Sequence, residues 1–403
     1  MIPFSPPRID QKIIDEVTAA LKSGWITTGP RTKQFEKMLS AYAGHRATLC
    51  VNSASSGLEL MLRWFGVKEG DEVIVPAYTY SATANVVIHC GAKPVMVDIG
   101  DDFNIDVDKI REAITPATKV IIPVDLAGLP CDYKEINALV ANEAIRKMFR
   151  PHTAEQKMLG RILVLADAAH SVGAVYHGMK TGSLTDISVY SFHAVKNLTT
   201  AEGGAVCLNL PEPFDNEEVY KYLCIKSLHG QTKDALAKAQ AGNWQYDVIE
   251  AGYKYNMTDI QAAMGMVELE RYDDDMLVRR KEIFDLYRQG FSNKKWAILP
   301  PYETDSKTSS YHVFLLRIKD ATEEQRNRIM GRIFEKGVSV NVHFIPLPML
   351  SLYKGLGYDI AAYPKSYLNY ERVISLPVYY TLSNDNVQTV VNTVLNSVEE
   401  ILS

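Results

Sequence analysis

Four short stretches of this chain have side chains suited to hold and activate a ligand. Asn52-Ser53-Ala54-Ser55-Ser56-Gly57 follows a strand-like run and opens a helix. Its small residues let a ligand reach the backbone, and the free N–H groups of a helix start favour a phosphate. Pro76-Ala77-Tyr78-Thr79-Tyr80 offers an aromatic ring able to lie flat on a planar ligand. The apolar run Leu165-Ala166 ends on Asp167, followed by Ala168-Ala169-His170. A carboxylate at the end of a buried strand is costly unless a cation pairs with it. In Ser188-Val189-Tyr190-Ser191-Phe192-His193-Ala194-Val195-Lys196, a lysine sits in a small-residue turn, about one βαβ unit beyond Asp167.

Taken alone, each stretch has a plain structural explanation: a serine helix cap, a packed tyrosine, an N-capping aspartate, an exposed loop lysine. Together they form a phosphate cup, a flat aromatic, a buried acid and an amine. That set suits a phosphorylated, pyridine-type cofactor. The acid would keep the ring nitrogen protonated so that the ring draws electrons. The lysine would condense with an aldehyde and then move protons.

The set works only if the intervening elements bring it to one place. Apolar runs at 48–51, 72–75, 94–97, 120–124, 162–166 and 187–191 are short and rich in Val or Ile, and predict strands. Helical spacing near 57–65, 81–90, 106–114 and 132–148 separates most of them. This βα alternation predicts a mostly parallel sheet covered on both faces, with the loops after the strands along one edge. Two helices precede it, one over 12–21 closed by Gly24, the other with Phe35, Met38, Leu39 and Tyr42 on one face. The stretch 145–160 predicts an extended helix or surface insertion, and the Ala-, Lys- and Gln-rich 231–250 a mobile excursion over the surface. Beyond 265 the texture predicts a helical stretch over 258–290, a strand over 312–318, a helix over 322–336 and a strand over 338–344. A closing helix follows, carrying Val387, Val390, Val391, Val394 and Val398. The expectation is an α/β protein with a large domain over 1–265 and a smaller C-terminal α/β domain over 266–403.

Composition narrows the classes. With 403 residues, 47% hydrophobic and 23% charged, the chain is neither disordered, nor a coiled coil, nor a disulfide-stapled miniprotein. Its 43 Lys+Arg against 48 Asp+Glu leave a net charge of −5 and no electrostatic case for a nucleic-acid partner. No apolar run nears the roughly 18 residues of a membrane helix, so no membrane insertion is expected. Met1-Ile2-Pro3-Phe4-Ser5-Pro6-Pro7 has no cationic-then-apolar leader pattern. Cys50, Cys90, Cys131, Cys207 and Cys224 are odd in number and scattered, which reads as reduced thiols in a cytoplasmic protein.

On the four stretches above, the sequence resembles the DegT/DnrJ/EryC1/StrS family of pyridoxal-phosphate sugar aminotransferases. The likeness also covers Ser23-Gly24-Trp25-Ile26-Thr27-Thr28-Gly29-Pro30, residues 167–173 and 191–204, and Gly252-Tyr253-Lys254-Tyr255-Asn256-Met257-Thr258-Asp259. It continues through Val342-His343-Phe344 and Ser375-Leu376-Pro377. The run around Lys196 is most similar to that of the branch forming UDP-4-amino-4-deoxy-L-arabinose.

The resemblance implies the fold-type-I architecture of pyridoxal-phosphate (PLP) transferases, with the cofactor alternating between PLP and its amine form, PMP. It implies that Lys196 holds the cofactor aldehyde and that Asp167 pairs with the pyridine nitrogen. Tyr80 would stack on the ring and His170 lie near its phenolic oxygen, while Ala54, Ser55 and Ser191 hold the phosphate. A homodimer is implied, its active site shared, with a Gly-x-Asn-x-Arg loop of the partner completing the phosphate site. This chain departs there: Lys254 stands where most members have Asn, and Asn256 where they have Arg. A lysine reaches a phosphate as a point charge, without the geometry of the amide. Thr27, Thr28, His343 and Phe344 match segments lining the sugar-nucleotide side. The implied activity is transfer of an amino group from glutamate or glutamine to a keto-sugar nucleotide, with 4-keto sugars foremost, for surface polysaccharide or glycolipid. Two alternatives are a PLP-dependent sugar dehydratase, against which the retained Lys196 argues, and a regulatory protein on the same fold, against which the intact set argues.

Overall fold

The computed structural model describes residues 1–233 and 244–402. Thirteen strands occur among the described residues. Seven of them build the main sheet: β1 Ala47–Val51, β2 Glu72–Pro76, β3 Lys93–Val97, β4 Thr118–Ile121, β5 Leu163–Asp167, β8 Ile187–Ser191 and β9 Gly204–Leu208. Their order is β1-β9-β8-β5-β4-β2-β3. β2, β3, β4, β5 and β8 pair in parallel, and only β9 runs against its neighbours. Val73, Ile74, Val75, Val120, Ile121, Leu163 and Val164 are fully buried, as a sheet covered on both faces requires.

Within the main sheet, β9 is the strand that the apolar runs do not predict, and its direction matters. It pairs Gly204 with both Val51 and Ser191, so it begins at the edge where β1 and β8 end. A Cβ on Gly204 would lie 2.6 Å from the Ala54 nitrogen, so only glycine lets this strand pass beneath the start of helix Ala54–Trp64.

Short strands complete two smaller sheets. β6 Val175–Tyr176, β7 Met179–Lys180 and β11 Lys307–Thr308 form one; β10 Ala297–Ile298, β12 Phe314–Ile318 and β13 Val373–Leu376 form the other. Helices Val278–Phe291, Glu323–Glu335 and Asn384–Leu402 pack on the second of these through Ile283, Phe284, Ile329, Val390 and Val394.

Several expected elements differ. The helix over 132–148 breaks at Asn142, whose side chain caps a new short helix by accepting from the Ala144 and Ile145 amides. Within 145–160 the chain is packed: helix Ala154–Leu159 buries Gln156, whose amide donates to the Phe65 carbonyl at 2.9 Å. Over 258–290 two helices, Asp259–Glu270 and Val278–Phe291, flank a π-helical turn at Tyr272–Leu277. Residue 265 therefore lies inside a helix. The strand over 338–344 does not form; Val338 and Asn341 make only isolated bridges, to Ile2 and Ser375. Of the excursion over 231–250, residues 234–243 lie outside the described residues. The flanks meet, with Gln231 bridging Val248 and the Thr232 amide donating to the Asp247 carbonyl at 3.0 Å. All five cysteines are free thiols.

Candidate active site

The loops after β1, β2, β5 and β8, together with the turn into β9, meet around one cavity of about 450 Å³. Ala54, Ser55, Tyr80, Asp167, His170, Ser191, Lys196, His343 and Phe344 all line it. A parallel sheet with right-handed crossovers brings strand ends to one edge, which is why residues scattered from 54 to 196 converge.

The helix start is built from its cap upward. Ser53 takes an extended conformation and its hydroxyl accepts from the Ser56 amide at 3.1 Å. The amides of Ala54 and Ser55 stand in the first turn, where no intrahelical acceptor exists. The Ser191 hydroxyl lies in the same wall. This donor set fits a phosphate.

Asp167 is the last residue of β5 and almost fully buried. Its carboxylate accepts from the Thr83 hydroxyl at 2.8 Å and from the Ala169 amide at 3.3 Å. Burial nevertheless raises its pKa, the hydrogen bonds and Lys196 only partly opposing. A carboxylate in that state gains by pairing with a protonated ring nitrogen. Lys196 answers with the opposite shift: desolvation lowers its amine to about 8 while Asp167 pulls the other way. A neutral amine is thus accessible near physiological pH, which suits capture of an aldehyde.

Histidines form much of the remaining wall. The Ala127 amide donates to His170 Nδ1 at 3.3 Å, which leaves Nε2 as the protonated nitrogen. His343 Nδ1 contacts the Ser375 hydroxyl at 3.0 Å, and the Tyr78 hydroxyl donates to the His343 carbonyl at 2.8 Å. Burial holds His170 well below the ordinary range and brings His343 to about 4. Tyr80, 62% exposed, forms the open side, its ring 5.6 Å from that of Phe344.

The structure adds residues that the sequence reading passed over. The apolar spacing predicts a strand from His312, but β12 starts at Phe314, and His312 lines the cavity with its ring 4.3 Å from that of His170. Its Nδ1 lies 2.8 Å from Asn197 Oδ1, and Asn197 Nδ2 donates to the Ser310 carbonyl at 2.7 Å. Asn197 is the neighbour of Lys196, so a loop from the C-terminal part braces the lysine turn. The polar run Ser309-Ser310-Tyr311-His312 before an apolar strand was the available signal. Thr83, in the first turn of helix Ala82–His89, gave none.

The DegT/DnrJ/EryC1/StrS aminotransferase family model matches residues 7–149 and 152–395. The chain belongs to this family. Relatives of the DegT/DnrJ/EryC1/StrS chain span its whole length. A Streptococcus pneumoniae protein assigned as a sugar aminotransferase, Spr1654, superposes in its PMP form with a TM-score of 0.95 at 47% identity, covering 100% of both chains. Its PLP form gives 0.95 at 45% identity, again over 100% of each. The spore coat polysaccharide biosynthesis protein SpsC of Bacillus subtilis is 37% identical over 99% of this chain and 97% of its own. An uncharacterized protein of Methanocaldococcus jannaschii, MJ1066, is 40% identical over 99% and 98%.

Three residues expected at the site of this family member stand outside the cavity. Thr28 donates its hydroxyl to the Met257 carbonyl at 2.6 Å and accepts from Asn256 Nδ2 at 2.7 Å, and the Thr27 carbonyl accepts from the Asp259 amide. Lys254 is exposed, while its flanking Tyr253 and Tyr255 stack 4.8 Å apart and pack on the main core. The loop is pinned beside the phosphate cup: the Asn52 amide donates to the Tyr255 carbonyl at 2.7 Å and Val51 bridges Asn256.

Proposed function

We propose that this protein is a PLP-dependent aminotransferase that moves an amino group from glutamate to a keto-sugar nucleotide, a 4-keto sugar being the favoured acceptor. The amino sugar would enter surface polysaccharide or glycolipid. The observation that carries the reading is the joint placement of Lys196, Asp167 and the free helix start of Ala54 and Ser55 around one cavity. The PLP and PMP forms of Spr1654 and the polysaccharide role named for SpsC support it.

When bound, PLP supplies an aldehyde carbon that carries the amino group and a ring that accepts the electron pair left by deprotonation. Asp167 would hold the proton on the ring nitrogen, and Ala54, Ser55 and Ser191 would hold the phosphate. His170 would donate from Nε2 to the phenolic oxygen, and Tyr80 would cover the ring. Lys196 Nζ would move a proton from the carbon of the donor to the aldehyde carbon of the cofactor, and in the second half-reaction from that carbon to the sugar carbon, so that two half-reactions share one site. We further propose a cytoplasmic homodimer in which Lys254 of the partner subunit reaches the phosphate, with Thr27 and Thr28 on the sugar side. The division at residues 1–265 and 266–403 belongs to the same proposal.

The test is the visible spectrum of the purified protein. A yellow protein that bleaches with L-glutamate and recovers with 2-oxoglutarate is the expected result, and Lys196→Ala should abolish the exchange with the fold intact. A protein that PLP cannot colour would refute the reading, and a product without nitrogen would turn it to the dehydratase.

A further inference from the structure

Residues 2–8 have no part in the reaction proposed above, yet they pass behind the cavity wall. The segment is fixed at both ends. Ile2 exchanges backbone hydrogen bonds with Gly337 at 2.8 Å and Ser339 at 3.0 Å. Arg8 pairs with Asp275 at 2.6 Å and Asp10 at 3.0 Å, its guanidinium 3.8 Å from the centre of the Tyr380 ring. Between these anchors Ser5 donates to the carbonyl of Val195, the residue before Lys196, at 3.3 Å.

Phe4 lies nearly face to face with the imidazole of His343, with ring centres 5.4 Å apart and planes at 19°. From there the aromatic contacts continue into the cavity. His343 meets Phe344 edge to face at 4.9 Å, and Phe344 meets Tyr80 at 5.6 Å and His170 at 6.0 Å. Phe4 is half-buried and does not line the cavity itself. His343 has one side-chain hydrogen bond, to Ser375, which alone leaves its ring able to swing. A ring stacked on its outer face removes that freedom.

We propose that Phe4 is a positioning residue for the acceptor sugar: by stacking on His343 it sets the wall formed by His343 and Phe344 against which the sugar nucleotide is read. The inference rests on the site assignment made above and extends it to a segment outside the cavity. Glutamate is small and would react beside Lys196, which Phe4 does not touch. The sugar nucleotide is larger and must extend along the wall. The two half-reactions should therefore separate.

The experiment compares holoenzyme carrying Phe4→Ala or Phe4→Tyr with the unaltered protein, using L-glutamate for one half-reaction and a UDP-4-keto-6-deoxyhexose as the probe for the other. Phe4→Ala should raise KM for the probe about tenfold, leave kcat and the glutamate half-reaction within about twofold, and be rescued by Phe4→Tyr. An unchanged KM, or an equal loss in both half-reactions, overturns the proposal. A second readout needs no substrate: the His343 ring, held to about 4 by burial and by Lys196, should titrate upward toward the ordinary histidine range in Phe4→Ala, as followed by NMR of labelled histidine. An unmoved titration also overturns the proposal. If the unaltered protein does not bleach with glutamate, the aminotransferase reading fails while the His343 titration still decides the placement of Phe4.

Discussion

Burial pulls the two central ionisable groups in opposite directions, Asp167 upward and Lys196 down to about 8, and each shift disfavours the charge. The pair is therefore poised to gain from a ligand that brings a protonated nitrogen to one and an aldehyde to the other. Asp167→Asn keeps the size of the side chain and removes the charge. It should lower kcat by about 10²-fold or more with little change in melting temperature, read by steady-state rates and thermal unfolding. The amine sets a pH dependence as well. Below pH about 8 the Lys196 amine is protonated and above it neutral, so uptake of PLP by the cofactor-free protein should accelerate as pH rises through about 8 and then level off. A rate independent of pH between about 7 and 9 would contradict that assignment.

At the scale of elements, the most consequential contact joins residues far apart in sequence. Asp259, fully buried at the start of helix Asp259–Glu270, accepts from the amides of Gly29, Arg31 and Thr32 at 2.8, 3.0 and 2.9 Å and from the Thr32 hydroxyl at 2.7 Å. It caps helix Pro30–Ala43, whose own N-cap is a glycine without a side chain. Asp259→Ala strands those donors and should cost about 3 kcal/mol or more in denaturant unfolding; a loss below about 1 kcal/mol would show that water replaces the carboxylate. The 145–160 stretch is held by a comparable staple. The buried Lys119 ammonium donates to the Arg150 carbonyl at 2.7 Å and faces Asp71 at 3.8 Å, and His152 lies 3.4 Å from the same carboxylate. The polar composition that predicts an extended helix or surface insertion is the composition of this network. Likewise the alternation over 338–344 is real, but the chain there serves as cavity wall and finds no continuous partner, so no ladder forms.

Across the whole molecule the C-terminal part is tied to the site by hydrogen bonds. Arg280, on helix Val278–Phe291, donates to the Tyr311 and His312 carbonyls at 3.1 Å each and so fixes the loop that carries His312 to the lysine turn. Protonation couples to folding at this scale too. Burial holds His45, His170, His312 and His343 below the ordinary range. Unfolding lets each bind a proton below pH about 6.5, so stability is full above that value and falls as pH drops toward about 4. The raised carboxyls of Glu36, Asp125, Asp167 and Glu268 act in the opposite sense, since the folded chain protonates them first as pH falls. His45, with a pKa of about 4 and no place in the cavity, is the clean probe. His45→Gln should reduce the loss of unfolding free energy between about pH 7 and 5 by about 2 kcal/mol. Equal pH slopes would remove His45 from the account.

The parts of the fold that depend on local order are legible along the chain. Strand positions followed from short Val- and Ile-rich runs, and helices from the spacing of apolar residues on one face. The convergence of Ala54, Tyr80, Asp167, Ser191 and Lys196 followed from βα alternation, because a parallel sheet leaves its strand ends on one edge. The tertiary structure alone decided what reaches that edge from elsewhere. β9 runs backward and passes under the helix start at Gly204, His312 enters from a loop more than a hundred residues beyond Lys196, and the Thr83 hydroxyl reaches Asp167 from the following helix. Such contacts join segments with no periodic relation along the chain, and only packing brings them together.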